Sequence, residues 1–200
     1  GAKLREAQHI IAQRLPHSGC VCTNDLIYDH EQQQIHGSKK KEIGQRLAYM
    51  AARRDHNNDG ALDGLVGETP EFQRMELDVA DAHELAVVAG SAVSNSPVLK
   101  AKGDGALPKV YRLYFSNAQD GFDHMKDIEG FEAAGSDGRW RPAIVWSSSE
   151  WQDTPTPGCF LKLTCPDLDD VVYVRCNFKN WAPGKLHNMR GLPVVPFTTE

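Results

Sequence analysis

The 200-residue chain has no run of about eighteen apolar residues, the length a membrane-crossing helix needs. It has no excess of cations either: 22 Lys and Arg stand against 27 Asp and Glu, a formal net charge of −5. General affinity for a phosphate backbone rests on Lys and Arg displacing counterions, so the composition argues against it. The one basic run, Lys39-Lys40-Lys41, meets Glu42 at once and reads as a solvated helix start. There is no Cys-x-x-Cys, which disfavours structural zinc. His30-Glu31 and His36 are spaced too widely to put both imidazoles on one helix face, and His83-Glu84 has no second histidine nearby. Ser147-Ser148-Ser149-Glu150 reads as a loop, without the structured elbow and base partner a serine nucleophile needs. No signal peptide is visible at Gly1, which is compatible with one having been removed.

The chain does contain five cysteines, Cys20, Cys22, Cys159, Cys165 and Cys176, two early and three late. A Cys-x-Cys pair does not easily bridge to itself. The pattern therefore suits one or two long-range disulfides tying the N-terminal part to the C-terminal part, with one thiol left free. Disulfides of that kind favour a secreted protein, with delivery into a host as an extension of that route.

Leu4, Ala7, Ile11 and Leu15 recur at helical spacing and stop at Pro16, predicting an amphipathic helix within residues 1–18. Residues 19–54 read as a hairpin, with Val21 and Leu26-Ile27-Tyr28 as strand candidates, and then a helix. Ser38 is its N-cap, and Ile43, Leu47 and Met50 form its buried stripe. Residues 55–107 read as an insertion with a third helix. Thr69-Pro70 is the cap-plus-proline start, and Phe72, Met75 and Val79 form one face. Strand signals dominate 108–200: Val110 to Phe115, Ala143 to Trp146, Phe160 to Leu163 and Val171 to Val174, with an extended tail near Leu192 to Pro196. Helices first and strands afterwards predict one α+β domain: helices on one face of a central antiparallel sheet, with a helical insertion.

Tyr111-Arg112-Leu113-Tyr114-Phe115-Ser116-Asn117-Ala118-Gln119-Asp120-Gly121 reads as an aromatic strand closed by an Asn and an Asp-Gly turn. It resembles the active-site strand of the small secreted fungal guanyl-specific ribonucleases and ribotoxins. The resemblance extends to Cys20–Met50 and to Pro108–His187. It implies a base, a supporting histidine, an arginine clamp and a histidine acid for RNA cleavage. Here Tyr111 keeps the phosphate-contacting tyrosine, but Leu113 stands for the supporting histidine, Trp140 for the base and Asp170 for the arginine. His187 alone keeps its type, as the one catalytic candidate. The expectation is a secreted, non-catalytic effector or virulence protein on a ribonuclease-like scaffold. It would be monomeric and would bind a host protein rather than RNA through Tyr111, Tyr114, Asn117 and Trp140.

Two alternatives carry their own residues. An active ribonuclease or other hydrolase would draw a base from Asp123, Glu129 or Glu132 and an acid from His124 or His187. A carboxylate and an imidazole within hydrogen-bond reach in one cleft would favour it. A calcium-dependent binding module would use Asp55-His56-Asn57-Asn58-Asp59-Gly60-Ala61-Leu62-Asp63, where Asp55, Asn57, Asp59 and Asp63 supply oxygens and Gly60 the sharp turn. Its twelfth position is Val66 rather than a bidentate carboxylate, and calcium is the one cofactor the sequence suggests.

Overall fold

A computed structural model describes residues 1–31, 36–56, 60, 67–78, 108–124, 128–147 and 159–200. Helix α1 covers Ala2–Arg14, a short 3-10 turn Asp29–Glu31, and helix α2 Lys40–His56. The strands are β1 Glu71–Asp78, β2 Val110–Ser116, β3 Phe131–Ala134, β4 Trp140–Pro142, β5 Ile144–Ser147, β6 Cys159–Thr164, β7 Tyr173–Cys176 and β8 Phe197–Thr198. They form two antiparallel four-stranded sheets, ordered β1-β2-β6-β5 and β4-β3-β7-β8.

This architecture corrects the expected α+β layout. The core lies between two sheets, not between a helix and one sheet. Along β2, alternate residues Tyr111, Leu113 and Phe115 face inward, opposite Leu163, Leu161 and Cys159 of β6. The second sheet supplies Phe131 and Ala133 of β3, opposite Cys176 and Val174 of β7. These inward sets form one apolar cluster, the arrangement of a β-sandwich. At one edge Phe72 of β1 stacks on Phe197 of β8 at 4.4 Å, and both meet Phe115 edge-on at 6.1 Å.

Residues 71–78 are a strand where a helix was expected, and the register explains why. A bulge between Phe72 and Arg74 adds one residue, so Phe72 and Met75 both pack on the core three positions apart. A bulged strand thus reproduces the i, i+3 spacing of a helix face. Val21 and Leu26-Ile27-Tyr28 form no strand.

Helices α1 and α2 do form, but not with their expected stripes inward. Leu4, Ile11 and Leu15 are exposed, as is Leu47, and no residue of α2 is fully buried. Polar anchors hold them instead. Arg5 Nη2 donates to the Lys179 carbonyl at 2.6 Å, and Arg54 Nη1 to that of Ser18 at 2.5 Å. All five cysteines are free thiols, three of them buried in the sandwich, which corrects the disulfide expectation. Among the described residues no helix is long and apolar enough to cross a membrane.

Candidate acid–base site

One polar contact between the helical part and the sandwich joins Asp25 to His187, and His187 in turn meets Asp123 and, through it, His124. Asp25 follows the Cys22–Asn24 segment and is gripped by Arg46 of α2 in a two-pronged pair, Nη1–Oδ1 2.7 Å and Nη2–Oδ2 2.5 Å. Arg46 Nη1 also donates to the Cys22 carbonyl at 2.7 Å, fixing that segment on the helix. A planar fork matched to a carboxylate gives such a pair direction as well as charge.

Asp123 and His187 come from two loops laced by backbone bonds. Asp123 N–H donates to the His187 carbonyl at 2.9 Å, and Met189 N–H to that of Gly121 at 3.1 Å. The buried Asn188 locks the corner. Its Nδ2 donates to the Asn117 carbonyl at 2.9 Å, and its Oδ1 accepts from Arg190 N–H and Leu192 N–H. Asn117 (φ 56°) and Gly121 (φ 93°) take the left-handed backbone that reverses the chain here, a conformation Asn and Gly tolerate.

The side chains then form a relay. His187 Nδ1 lies 2.9 Å from Asp123 Oδ2, and its Nε2 lies 3.6 Å from Asp25 Oδ2. Asp123 Oδ1 accepts the His187 backbone N–H at 2.9 Å and lies 2.8 Å from His124 Nδ1. The Asp25 carboxylate raises the His187 pKa above its ordinary value; burial opposes it and Asp123 reinforces it. Burial pushes the Asp25 carboxyl up, but Arg46 and His187 outweigh it and bring it down to about 2. Burial likewise opposes ionisation of Asp123, and bonds from His124 and His187 overcome it, leaving its pKa lowered.

These geometries give the two imidazoles different chemistry. His187 has a carboxylate at each ring nitrogen, so it serves as a cationic clamp between two loops. His124 has only Nδ1 engaged. Its half-exposed ring is oriented by Asp123, and Nε2 is open among the described residues. An imidazole fixed at one nitrogen and open at the other suits proton transfer. His124 borders an open cavity of about 260 Å³ with Ile128, Glu129, Lys185 and Leu186. Glu129 is paired there with Lys185 at 2.6 Å, and Glu132 with Arg175 at 2.9 Å, so Asp123 is the carboxylate left to serve an imidazole.

His36 is a further exposed imidazole, two residues before Ser38, which is held by Glu31. Glu31 is only 1% exposed and accepts from Tyr28 N–H at 2.9 Å, from Ser38 N–H at 2.9 Å and from the Ser38 hydroxyl.

The other expected site residues do not converge. The Tyr111 side chain points into the core, where its hydroxyl accepts Val171 N–H at 3.0 Å and lies 3.4 Å from Asp170. Tyr114 is on the opposite face of β2, with the Arg74 guanidinium 3.7 Å above its ring. Asn117 Nδ2 donates to the Thr69 carbonyl. Trp140 belongs to the other sheet and carries Arg175 at 4.3 Å. Leu113 is wholly buried, and Asp170 pairs with Lys109. Of the calcium residues, Asp55 sits in the last turn of α2, 3.9 Å from His17, while Asn57, Asp59 and Asp63 lie outside the described residues. Sequence reasoning missed Asp25 and Arg46. Neither belongs to a local motif, and Asp25 meets His187 across 162 positions (187 − 25) of the chain.

No protein-family model and no curated protein matches the chain. Among solved structures it is similar to a carbohydrate acetylesterase from Xanthomonas citri, with 25% sequence identity and a TM-score of 0.66. The match covers 100% of this chain and 36% of that one, so the chain spans about a third of the enzyme's length. Likeness to an esterase along the whole chain, on a two-sheet fold, overturns the ribonuclease resemblance and with it the reading as a non-catalytic effector or virulence protein. The hydrolase alternative fits better.

Proposed function

We propose that this chain is part of a carbohydrate ester hydrolase that removes acetyl groups from sugar hydroxyls. The observation that carries the reading is the 25% identity to a carbohydrate acetylesterase over the full length of this chain. The cluster at Asp123 supports it, because it contains the carboxylate–imidazole pair that ester hydrolysis uses.

An acetyl ester is cleaved when a nucleophile adds to its carbonyl carbon while a base takes the nucleophile's proton. The sugar oxygen then leaves with a proton. In this reading Asp123 holds His124 so that Nε2 accepts the first proton and returns it to the departing oxygen. Asp123 also balances the imidazolium formed between the two steps. No described hydroxyl or thiol bonds His124, so its nucleophile is water or a group outside the described residues. Arg46, Asp25 and His187 position Asp123 without meeting substrate.

Acetate release from O-acetylated oligosaccharides, measured with the purified protein, tests the reading. The expected result is acetate release that falls about a hundredfold in His124→Ala, with the melting temperature preserved. Loss in His36→Ala with full activity in His124→Ala would move the proton-transfer role to His36. No release from any acetylated saccharide would overturn the proposal.

A further inference from the structure

Helix α1 turns its polar side to the sandwich and its apolar side to solvent. Leu4, Ala7, Ile11 and Leu15 fall on one side of the helix, and the three larger residues are each more than half exposed. Arg5, His9 and Gln13 lie about 160° away around the helix axis. These polar residues make the contacts with the sandwich. Arg5 Nη2 donates to the Lys179 carbonyl at 2.6 Å and Gln13 Nε2 to Glu71 Oε2 at 2.7 Å, while His9 Nε2 lies 3.3 Å from Glu71 Oε1.

Helix α2 repeats the inversion. Arg46 reaches Asp25 at 2.5 Å and Arg53 lies 3.6 Å from Glu68. About 160° away around the axis, Gly44, Leu47, Ala48 and Ala51 are all exposed, and a Cβ at Gly44 would meet nothing within 4 Å. One leucine among small residues lets another backbone approach closely. The two helices are neighbours, since His9 and Gln13 of α1 and Met50 and Arg54 of α2 line one cavity of about 190 Å³. Six of the ten exposed large hydrophobics among the described residues belong to these helices or the α1 cap: Leu4, Ile10, Ile11, Leu15, Leu47 and Tyr49. Exposed apolar residues scattered singly are ordinary, whereas a concentration of them marks an interaction face. Helices in proteins are stable chiefly through packing an apolar face, and α2 has no buried residue at all.

We propose that the outward faces of α1 and α2 are the seat of the rest of a carbohydrate acetylesterase, whose apolar protein surface packs on Leu4, Ile11, Leu15 and Leu47. The inference rests on the esterase reading. The likeness to the Xanthomonas citri enzyme covers 100% of this chain, helices included, but 36% of that enzyme, which leaves 64% (100 − 36) of its chain to supply a cover. The polar contacts of Arg5, Gln13 and Arg46 then hold the helices in place on one side while the remainder of the enzyme buries the other.

The test is co-expression of the tagged 200-residue chain with the part of the Xanthomonas citri acetylesterase that it does not match. The expected result is a one-to-one complex that co-purifies with the tag. Combining Ile11→Glu with Leu47→Glu should lower its recovery at least about tenfold. Val172→Glu, at an exposed position of the sandwich, should leave recovery unchanged. Hydroxyl-radical oxidation of Leu4, Ile11 and Leu47 should be at least about threefold lower in the wild-type complex than in the chain alone. That footprint decides if the double variant fails to fold. No complex, recovery unchanged in the double variant, or an unchanged footprint would each overturn the proposal. So would a dimer of the chain alone that the double variant splits, which would make a second copy the occupant. Binding to phosphatidylserine vesicles that the double variant abolishes would overturn it in favour of a lipid surface. Complex formation is read without substrate, so its failure is distinct from a failure of acetate release.

Discussion

The two parts of this molecule are held by different forces. The sandwich buries apolar side chains from both sheets, and β6 is buried on both faces, down to Lys162, which pairs with Asp78 at 3.2 Å. The helices bury almost nothing; α1 is attached to the sandwich through Arg5 and the Gln13–Glu71 contact, while Arg46 and Arg54 tie α2 to Asp25 and Ser18 of the preceding segment. Apolar burial is non-directional and scales with area, whereas charged contacts act one geometry at a time. The Asp123 cluster lies on the seam between the parts, where Asp25 meets His187.

The contrast predicts a graded set of effects. Phe115→Ala empties the centre of the aromatic cluster and should cost about 3–5 kcal/mol in chemical unfolding. A loss below about 1 kcal/mol would show that the sandwich core is not the main source of stability. Arg46→Ala leaves the Asp25 carboxylate, about nine-tenths buried, without its main partner and should cost about 3 kcal/mol. Limited proteolysis should then cut the 15–31 region faster while amide exchange in β6 stays slow. Equal loss of protection in both regions would abolish the distinction.

The pH dependence of the seam has a definite sign. The folded pKa of His187 lies above its ordinary 6.5, so its ion pairs contribute fully below about pH 6.5 and are lost as pH rises through the raised value. Asp25 is the opposite case. Its contribution is present above about pH 3.8 and is lost as pH falls through about 2. Melting temperatures across pH 5–9 should therefore decline less steeply on the alkaline side in His187→Gln than in the wild type. Identical slopes would remove His187 from the seam. The smallest effect is expected for Ile11→Ser on the exposed face of α1, less than about 0.5 kcal/mol.

Strands whose pairing runs without a bulge were legible in the sequence: β2, β5 and β6 fall within a residue or two of the runs that predict them. The first strand was not, because its bulge imitates helical spacing. Helices α1 and α2 were legible as helices, but their apolar stripes gave the wrong inward face. Periodicity reports amphipathicity, not which neighbour is there to cover it. The site was legible in part. Asp123, His124 and His187 were candidates for a hydrolase, and the fold places them in one hydrogen-bonded group. Asp25 and Arg46 stayed hidden because their partners are distant in sequence. The aromatic residues Tyr111 and Tyr114 misled, since successive residues of a strand point to opposite faces. The cysteine pattern misled as well: spacing alone does not show that three of the thiols are enclosed in the sandwich core.

The most direct test is the rate of acetate release from an O-acetylated oligosaccharide by wild type and by Asp123→Asn, compared at equal folded concentration. An amide in place of Asp123 keeps the shape of the relay but removes the charge that orients His124. The account predicts steady release by the wild type and a drop in kcat of about a hundredfold in the variant, with KM little changed. Equal kcat in the two proteins would contradict it.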